Sequence, residues 1–283
     1  MNTRTEHQFF QNPQIGVVNH FNELINTQFQ GSMNALCWQR DLSGDFKEIV
    51  TQLLASFANN LKAATQVSTT DIERETDGLV SQSLDNQPLD SQSLNRESFE
   101  DDLDPVLEIS SDDLLALKLT PQGEIARDII LKDMQQLEAY GASPCLNLIH
   151  HYQRDDEFDF ISTDVYSYHV DRSPIATDTF LCTYHGAASD IISNDQVQQK
   201  VLIPDIRAQL KALHEGPDSE FEQFLAEYFF DLHYQALPNA TPINLGLGHL
   251  WRLAVDHPTQ QVLPCVHRAP VERDGEYRLL LIC

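Results

Sequence analysis

The segment from Tyr168 to Gly186 reads YHVDRSPIATDTFLCTYHG and places a histidine two positions before an aspartate. The run TDTFLCTYHG within it is rich in β-branched and aromatic residues, which is typical of a β-strand. Successive side chains of a strand point to opposite faces, so His169 and Asp171 would share a face of an extended chain. An imidazole and a carboxylate on one face can bind a single metal ion.

Segments on both sides have the same short, β-rich pattern, interrupted by Gly, Pro, Asn and Asp: CLNLIHHYQ, FISTDVYSYHV, INLGLGHLWRLAV, QQVLPCVHRAP and YRLLLIC. One helix is predicted among them, beginning with a capping box of Ser219 and Glu222. Its predicted apolar face consists of Phe221, Phe224, Leu225, Tyr228 and Leu232. No GxGxxG, P-loop or GxSxG motif is present in the sequence. This order of elements predicts an α+β, mainly β fold, with an antiparallel barrel or sandwich and helices outside it.

The first half of the chain is predicted to be helical, with one polar interruption. Apolar residues at helical spacing predict an amphipathic helix over about residues 43–64. A second helix is predicted from Thr120 as N-cap and Pro121 at the first position to a stop at Gly141. Its predicted buried stripe consists of Ile125, Ile129, Ile130, Met134 and Leu137.

The polar interruption separates these helices and suggests three regions. Residues 66–110 are rich in Ser, Gln, Asp and Glu and include the near-repeat SQSLDNQPLD and SQSLNRE. A segment this polar buries too little apolar surface to offset its ordering entropy, so a disordered acidic insert is predicted. Residues 1–65 are then an N-terminal strand and helix region that packs on the core, and residues 111–283 form a helix plus the β domain.

Composition restricts the classes of function. Lys and Arg number 18 against 43 Asp and Glu, for a formal net charge of -25. Such a surface repels phosphate backbones and anionic lipid, so no nucleic-acid or membrane partner is expected, and the substrate, small molecule or protein, stays open. The five cysteines are scattered without a CxxC pair, and no apolar run suits a signal peptide or membrane span. We therefore expect a cytoplasmic protein.

Two residues near the end of the sequence complete a metal-site pattern. His267 follows a strand-like run, and Arg278 begins the final apolar strand after a turn. Two histidines and one carboxylate form the facial triad of non-haem Fe(II) oxygenases, which leaves coordination positions open for a 2-oxoacid and O₂. A guanidinium can then pair with the distal carboxylate of the co-substrate.

The order His169-x-Asp171, His267 and Arg278 resembles the pattern of 2-oxoglutarate- and Fe(II)-dependent dioxygenases over roughly residues 145–283. The resemblance implies a double-stranded β-helix, or jelly-roll, core. It also implies Fe(II) bound by His169, Asp171 and His267, with 2-oxoglutarate anchored by Arg278. The Arg-x-Ser found in some members is absent, because Leu280 follows Arg278 and Leu279. Tyr184 is a further candidate for a hydrogen bond to the co-substrate or substrate.

The segments YHVD, LCTYHGAAS, HRAP and RLLLI also resemble a bacterial family catalogued as domain of unknown function 1826. That resemblance implies a fold and candidate ligands, and no reaction. The chain departs from the family pattern at Ala187 and Ala188, where a Pro-Gly pair is expected, and at Ala269, where Ser is expected.

Two alternatives remain open from the sequence. Zinc also accepts two histidines, a carboxylate and a water, so the same triad suits a zinc protein that hydrolyses a substrate or holds metal. The β domain could instead be a non-catalytic interaction module. Arg268, next to His267, would point to the opposite face of its strand and is predicted to form a structural ion pair.

Overall fold

The computed structural model describes residues 12–59, 104–273 and 275–283. Over these ranges the protein is a mixed α+β structure in which strands outnumber helices. Two curled sheets face each other, and their strands pair antiparallel except for the parallel pair of Ile15–Val18 with Ala35–Trp38.

The large sheet has seven strands in the order β1-β2-β11-β6-β13-β4-β3. In chain order they are β1 Ile15–Val18, β2 Ala35–Trp38, β3 Val106–Ile109, β4 Cys145–Ile149, β6 Asp178–His185, β11 Leu250–Ala254 and β13 Arg278–Ile282. The last strand in the sequence, β13, lies in the interior of the sheet between β4 and β6. Both of its neighbours therefore come from much earlier in the chain.

The small sheet has six strands in the order β10-β7-β12-β5-β9-β8. They are β5 Tyr168–His169, β7 Asp190–Ile192, β8 Val197–Gln199, β9 His233–Ala236, β10 Ile243–Asn244 and β12 Val266–Arg268. Residues directly opposite one another on paired strands share a face. The register places Ile191, His267, His169 and His233 in one row across β7, β12, β5 and β9.

Helices cover the outer face of the large sheet. They are α1 Phe21–Asn26, α2 over residues 46–59, α3 Ser111–Ala116 and α4 Pro121–Tyr140. Ile49, Ile130 and Leu137 from these helices pack against Phe180 and Leu279 of the sheet in one core cluster. The other face of the large sheet meets the small sheet through a second cluster that includes Trp251, Leu280 and Ile191. The space between the sheets is therefore mostly apolar.

Two further helices, α5 Pro204–Leu213 and α6 Phe221–Glu227, lie beside the small sheet. They form a separate apolar cluster with Ile161, Val201 and Phe230. The sequence predicted one helix between the strands, and α5 is the one it missed. Pro204 occupies its first turn, so the signal of Pro at a helix start was present.

The structure bears out the predicted limits of α4 and corrects one member of its buried face. Thr120 accepts a hydrogen bond from the Gly123 N–H as N-cap, and Gly141 ends the helix with φ 101. Ile125 is 38% exposed, whereas Ala126 and Asp133 are buried. The buried face of α4 therefore includes Asp133, which forms an ion pair with Arg40.

Three other predictions about local structure need correction. Residues 106–109 form β3 at the edge of the large sheet, so the polar insert cannot extend to residue 110; residues 66–103 lie outside the described residues. The capping box at Ser219 does not form, because residues 218–220 adopt a 3-10 turn and α6 begins at Phe221. The predicted apolar face is also too long, because α6 ends at Glu227, Tyr228 is exposed and Leu232 lies in a 3-10 turn after Phe229, which has φ 60.

Candidate metal centre

His169, Asp171 and His267 come together between the sheets. One potential ligand atom from each residue lies within 4.8 Å of the other two. His169 and His267 are direct cross-strand neighbours on β5 and β12, and their ring centroids are 4.5 Å apart. Asp171 follows β5 by two residues, and its Oδ2 is 3.7 Å from Nε2 of His267. Among the described residues this is the one group of three or more His, Cys, Asp or Glu spaced to hold a metal ion.

Backbone carbonyl groups orient both imidazole rings. Nδ1 of His169 lies 2.8 Å from the carbonyl oxygen of Ser167, and Nδ1 of His267 lies 3.2 Å from that of Cys265. A carbonyl can only accept, so each Nδ1 carries the proton and each Nε2 keeps its lone pair. Such contacts are the usual second layer of a histidine metal ligand, where they fix the tautomer. The rings are therefore prepared to bind a cation through Nε2.

Asp171 is held ionised by its neighbours. Burial raises the pKa of Asp171, but His267 and the hydroxyl of Thr179, which donates to Oδ2, outweigh burial and leave the pKa below its ordinary value. The Asp171 side chain remains 36% exposed, against 10% for His267. The centre is therefore open to solvent on the Asp171 side.

Arg172 fixes the chain at this opening. Its guanidinium donates to Asp231, before β9, and to Asp256, after β11, at 2.6 and 2.7 Å. The backbone N–H of Asp256 also donates to the carbonyl of Asp171. These contacts join the end of β5 to both sheets, so the direction of the Asp171 side chain is set by three chain segments.

Replacement of Thr179 by Val is expected to weaken metal binding about 10- to 100-fold, the usual effect of losing a hydrogen bond to a metal ligand. Val keeps the shape of Thr179, which is buried, and removes the hydroxyl that orients Asp171. Competition for Zn²⁺ with a chromophoric chelator measures the affinity. Thr177→Val, at an exposed position two residues earlier, is the matched control. Equal affinities in the two variants would contradict the role of Thr179.

The metal-free protein is expected to lose stability as the pH falls from about 6.5 toward 4. Burial, and next the adjacent His267, lowers the pKa of His169 from 6.5 to about 4. In this window the unfolded chain binds a proton at His169 that the folded chain does not bind, so acid favours unfolding. The loss is roughly 3 kcal/mol from this residue. Urea unfolding at pH 7 and pH 4 measures it, and His169→Asn should reduce the difference.

Arg278 is a buried cation without a carboxylate partner among the described residues. It is 1% exposed, its Nη2 donates to Ser189 at 2.7 Å and contacts Thr183 at 3.5 Å, and its Nε has no partner. Burial lowers the pKa of Arg278, although a guanidinium stays protonated in proteins. A buried charge normally has a counter-ion. The carboxylate of Glu272 acts on Arg278 from a distance and partly opposes the fall in its pKa. No carboxylate among the described residues bonds to the guanidinium, so its free N–H groups can bind an anion.

The hydroxyl groups of Ser189 and Thr183 were not predicted from the sequence, which left the partner of Arg278 open. Gly186 lies between Thr183 and Ser189 and allows this segment to approach Arg278 closely. It ends β6 with φ 83, and a Cβ there would lie 2.6 Å from the carbonyl oxygen of Tyr277. The close approach of these two chain segments therefore requires glycine at this position.

Tyr184, predicted to contact a co-substrate, lies on the opposite face of the large sheet. It stacks on Phe46 with ring centroids 5.3 Å apart, and its hydroxyl donates to Oδ2 of Asp133 at 2.7 Å. Alternation along β6 explains this placement, because Thr179 and Thr183 point between the sheets and Tyr184 points toward the helices. The structure therefore separates Tyr184 from the metal centre.

Asp133 and Arg40 form the centre of the buried network that Tyr184 joins. Nη1 of Arg40 lies 2.7 Å from both carboxylate oxygens of Asp133, and its Nε donates to the carbonyl of Gly248. The side chains of Arg40 and Asp133 are 7% and 2% exposed. The network connects α4 to β6 and to the chain segments next to β2 and β11.

His233 is the residue near the centre that sequence reasoning missed. It begins β9 opposite His169, with ring centroids 6.0 Å apart, and is 6% exposed. Its Nδ1 has no hydrogen-bond partner. No motif surrounds it in the sequence, and only the pairing of β5 with β9 brings it to this position.

Arg268 forms the ion pair that its position predicts. Its Nη2 lies 2.9 Å from Oδ2 of Asp190, and its guanidinium lies over the ring of Tyr168 on the outer face of the small sheet. Burial raises the pKa of the Cys265 thiol, beside His267, above its usual range. A buried thiol of this kind is a packing group.

Comparison with known proteins adds no assignment: no protein-family model, curated protein or solved structure matches the chain. Within the described residues, no helix combines the length and apolar character that a membrane crossing requires. The functional argument therefore depends on the geometry of the centre.

Proposed function

We propose that the protein is a non-haem Fe(II)- and 2-oxoglutarate-dependent oxygenase built on a double-stranded β-helix. The observation that carries the proposal is the His169, Asp171 and His267 group combined with a buried arginine, Arg278, whose Nε has no hydrogen-bond partner. Either feature alone occurs in proteins of many kinds. Together they offer a metal position and an anion position between the same two sheets.

Strand order supports the jelly-roll part of the proposal. In chain order, β4, β6, β11 and β13 belong to the large sheet, whereas β5, β7, β10 and β12 belong to the small sheet. The chain crosses between sheets after β4, β5 and β6, and again after β10, β11 and β12. Two sheets of four interleaved strands are the arrangement of a jelly-roll. β1, β2, β3, β8 and β9 extend the sheets at their edges.

The donor set fits Fe(II). Two imidazole Nε2 atoms and one carboxylate oxygen are the ligands of the facial triad, which leaves positions open for a co-substrate. When bound, the iron and the 2-oxoacid would supply the oxidative chemistry. The carbonyl groups of Ser167 and Cys265 keep both Nε2 atoms available, and Thr179 keeps Asp171 oriented and ionised.

Arg278 would supply the anchor for the distal carboxylate of 2-oxoglutarate. A guanidinium binds a carboxylate through two parallel N–H groups, and its planar shape fixes the direction of the bound molecule. The unpartnered Nε of Arg278 and the hydroxyl of Ser189 on Nη2 are consistent with this role. Ser189 would replace the serine of the Arg-x-Ser pattern, which this chain lacks after Arg278.

The first test adds Fe(II) and then 2-oxoglutarate to metal-free protein under strict exclusion of oxygen. A weak visible charge-transfer band that requires both additions is expected, because a bidentate 2-oxoacid on Fe(II) absorbs there. Absence of the band, although Fe(II) binds, would contradict the oxygenase proposal.

Arg278→Met should retain Fe(II) and bind 2-oxoglutarate at least about thirtyfold more weakly, because loss of one partner of a buried charge pair costs about 2 kcal/mol or more. Met fills a similar volume without leaving a buried charge unpaired. Titration of the charge-transfer band measures the affinity. Arg268→Met, on the opposite face of the small sheet, is the control and should bind as the wild type does. A variant at Arg278 that matched this control would exclude the anchoring role.

A zinc protein that uses the same triad is the second candidate. The exposure of Asp171 favours it, because an open position beside two histidines and a carboxylate also suits a zinc-bound water. Metal analysis of protein purified from metal-limited cells separates the two. Zinc retained in stoichiometric amount, with no band on addition of Fe(II) and 2-oxoglutarate, would favour zinc. The resemblance to domain of unknown function 1826 and the interaction-module alternative stay predictions.

A further inference from the structure

His233 is a buried imidazole next to the candidate metal centre. Buried polar atoms in folded proteins almost always have a partner, and an exception calls for an explanation. His233 is 6% exposed and its Nδ1 has no hydrogen-bond partner. A role in binding a substrate is one such explanation, and the position of His233 indicates which molecule it would contact.

The small sheet places His233 on the far side of the triad from Arg278. His169 has His267 on the β12 side and His233 on the β9 side. Arg278 contacts Ser189, which immediately precedes β7, and β7 lies beyond β12. A co-substrate held by Arg278 therefore approaches the metal from the β7 side. His233 faces the opposite side, where a second molecule would lie.

Lys200 adds a positive charge beside His233. Its Nζ donates to the carbonyl of Ser162 and to the hydroxyl of Ser167 at 2.7 and 2.6 Å. An ammonium has three N–H groups, so one remains for another acceptor. Lys200 directly follows β8, and the pairing of Gln199 with Tyr234 places Lys200 alongside His233 at the start of β9.

The nearby carboxylate of Asp164 is occupied elsewhere. Its Oδ1 accepts hydrogen bonds from the backbone N–H groups of Tyr166 and Ser167, and its Oδ2 is 3.4 Å from Arg154. The pair of His233 and Lys200 thus keeps hydrogen-bonding capacity for a bound group. Because the formal net charge of the protein is -25, an anion would need such a local cation in order to bind.

From this placement, we infer that His233 and Lys200 form a subsite for an anionic oxygen group, such as a carboxylate or phosphate, of the primary substrate. The inference rests on the proposed function, because the triad and Arg278 define which side of the metal the substrate occupies. It assigns a substrate-contacting role to His233 and an anionic character to the substrate.

The test uses Mn²⁺ in place of Fe(II), since Mn²⁺ accepts the same imidazole and carboxylate ligands. Saturating 2-oxoglutarate fills the Arg278 side. Acetate and inorganic phosphate are the probes, and broadening of their ¹H and ³¹P signals by the paramagnetic ion reports binding beside the metal. The full chain is compared with His233→Phe and Lys200→Met, each checked for folding by its thermal unfolding.

The wild type should bind at least one probe saturably, and both variants should bind it at least tenfold more weakly while their Mn²⁺ affinity stays within threefold. Unchanged probe affinity in the variants, or no probe binding by the wild type, would overturn the inference. Loss of Mn²⁺ by His233→Phe would make His233 a metal ligand, and that result also overturns it. His169→Ala separates the two claims, because retention of Mn²⁺ by that variant contradicts the metal centre itself.

Discussion

His169→Ala is expected to lower metal affinity by roughly a few hundredfold. Binding free energies of about 10–16 kcal/mol for four-ligand sites imply roughly 3 kcal/mol for each ligand, and every 1.4 kcal/mol is a factor of ten. His169 lies between His267 and His233 in the row across the small sheet, and the hydrogen bond of its Nδ1 to the carbonyl of Ser167 leaves Nε2 for a metal. Titration of Fe(II) without oxygen, or of Zn²⁺ against a chelator, measures the change.

The fold should survive this substitution. His169 belongs to a two-residue strand, and no core cluster depends on its side chain. His151→Ala, at an exposed position outside the centre, is the matched control and should bind metal normally. Wild-type metal affinity in the His169 variant would refute the assignment of the centre.

Asp133→Ala is expected to destabilise the protein by about 3–5 kcal/mol. Removal of one member of a buried ion pair leaves the other charge without compensation, and costs of that size are usual. Here Arg40 would lose both of its bonds to Asp133, and the hydroxyl of Tyr184 would lose its acceptor. Urea unfolding, with a fixed denaturant slope, measures the free energy of unfolding.

Asp128→Ala provides the control on the same helix. Its side chain is 73% exposed and its contact with Arg127 lies at the surface, so a loss below about 1 kcal/mol is expected. The double variant Arg40→Met/Asp133→Leu should be more stable than Asp133→Ala, because it removes both charges together. A single variant at Asp133 as stable as Asp128→Ala would show that the network contributes little.

The sequence predicted correctly those elements whose limits are set by residues close to one another in the chain. Thr120, Pro121 and Gly141 define α4 by capping and backbone geometry, and the structure agrees. The predicted strand FISTDVYSYHV failed for a local reason that its β-rich composition does not show. The side chain of Asp164 accepts hydrogen bonds from the N–H groups of Tyr166 and Ser167, which bends the chain and leaves two residues for β5.

The candidate centre was predictable only in part. His169 and Asp171 are close in sequence, and His267 follows on a recognisable strand, so a pattern contained all three. His233 reaches the centre through the register of β5 with β9. Ser189 reaches Arg278 through the turn at Gly186. Register and turn geometry depend on the whole sheet, and single-sequence periodicity does not encode them.

The interior position of β13 has a consequence for folding kinetics. Until residues 278–282 dock, β4 and β6 each present an unpaired edge, and such edges recruit foreign strands. Pairing of β13 with β4 joins residues more than a hundred positions apart in the numbering. Loop-closure entropy opposes this step, so we expect the main folding barrier to be crossed late. Arg278 arrives with the same strand. Closure of the large sheet and placement of Arg278 beside Ser189 are therefore one event, and a chain stalled before that event lacks this contact and is prone to aggregate.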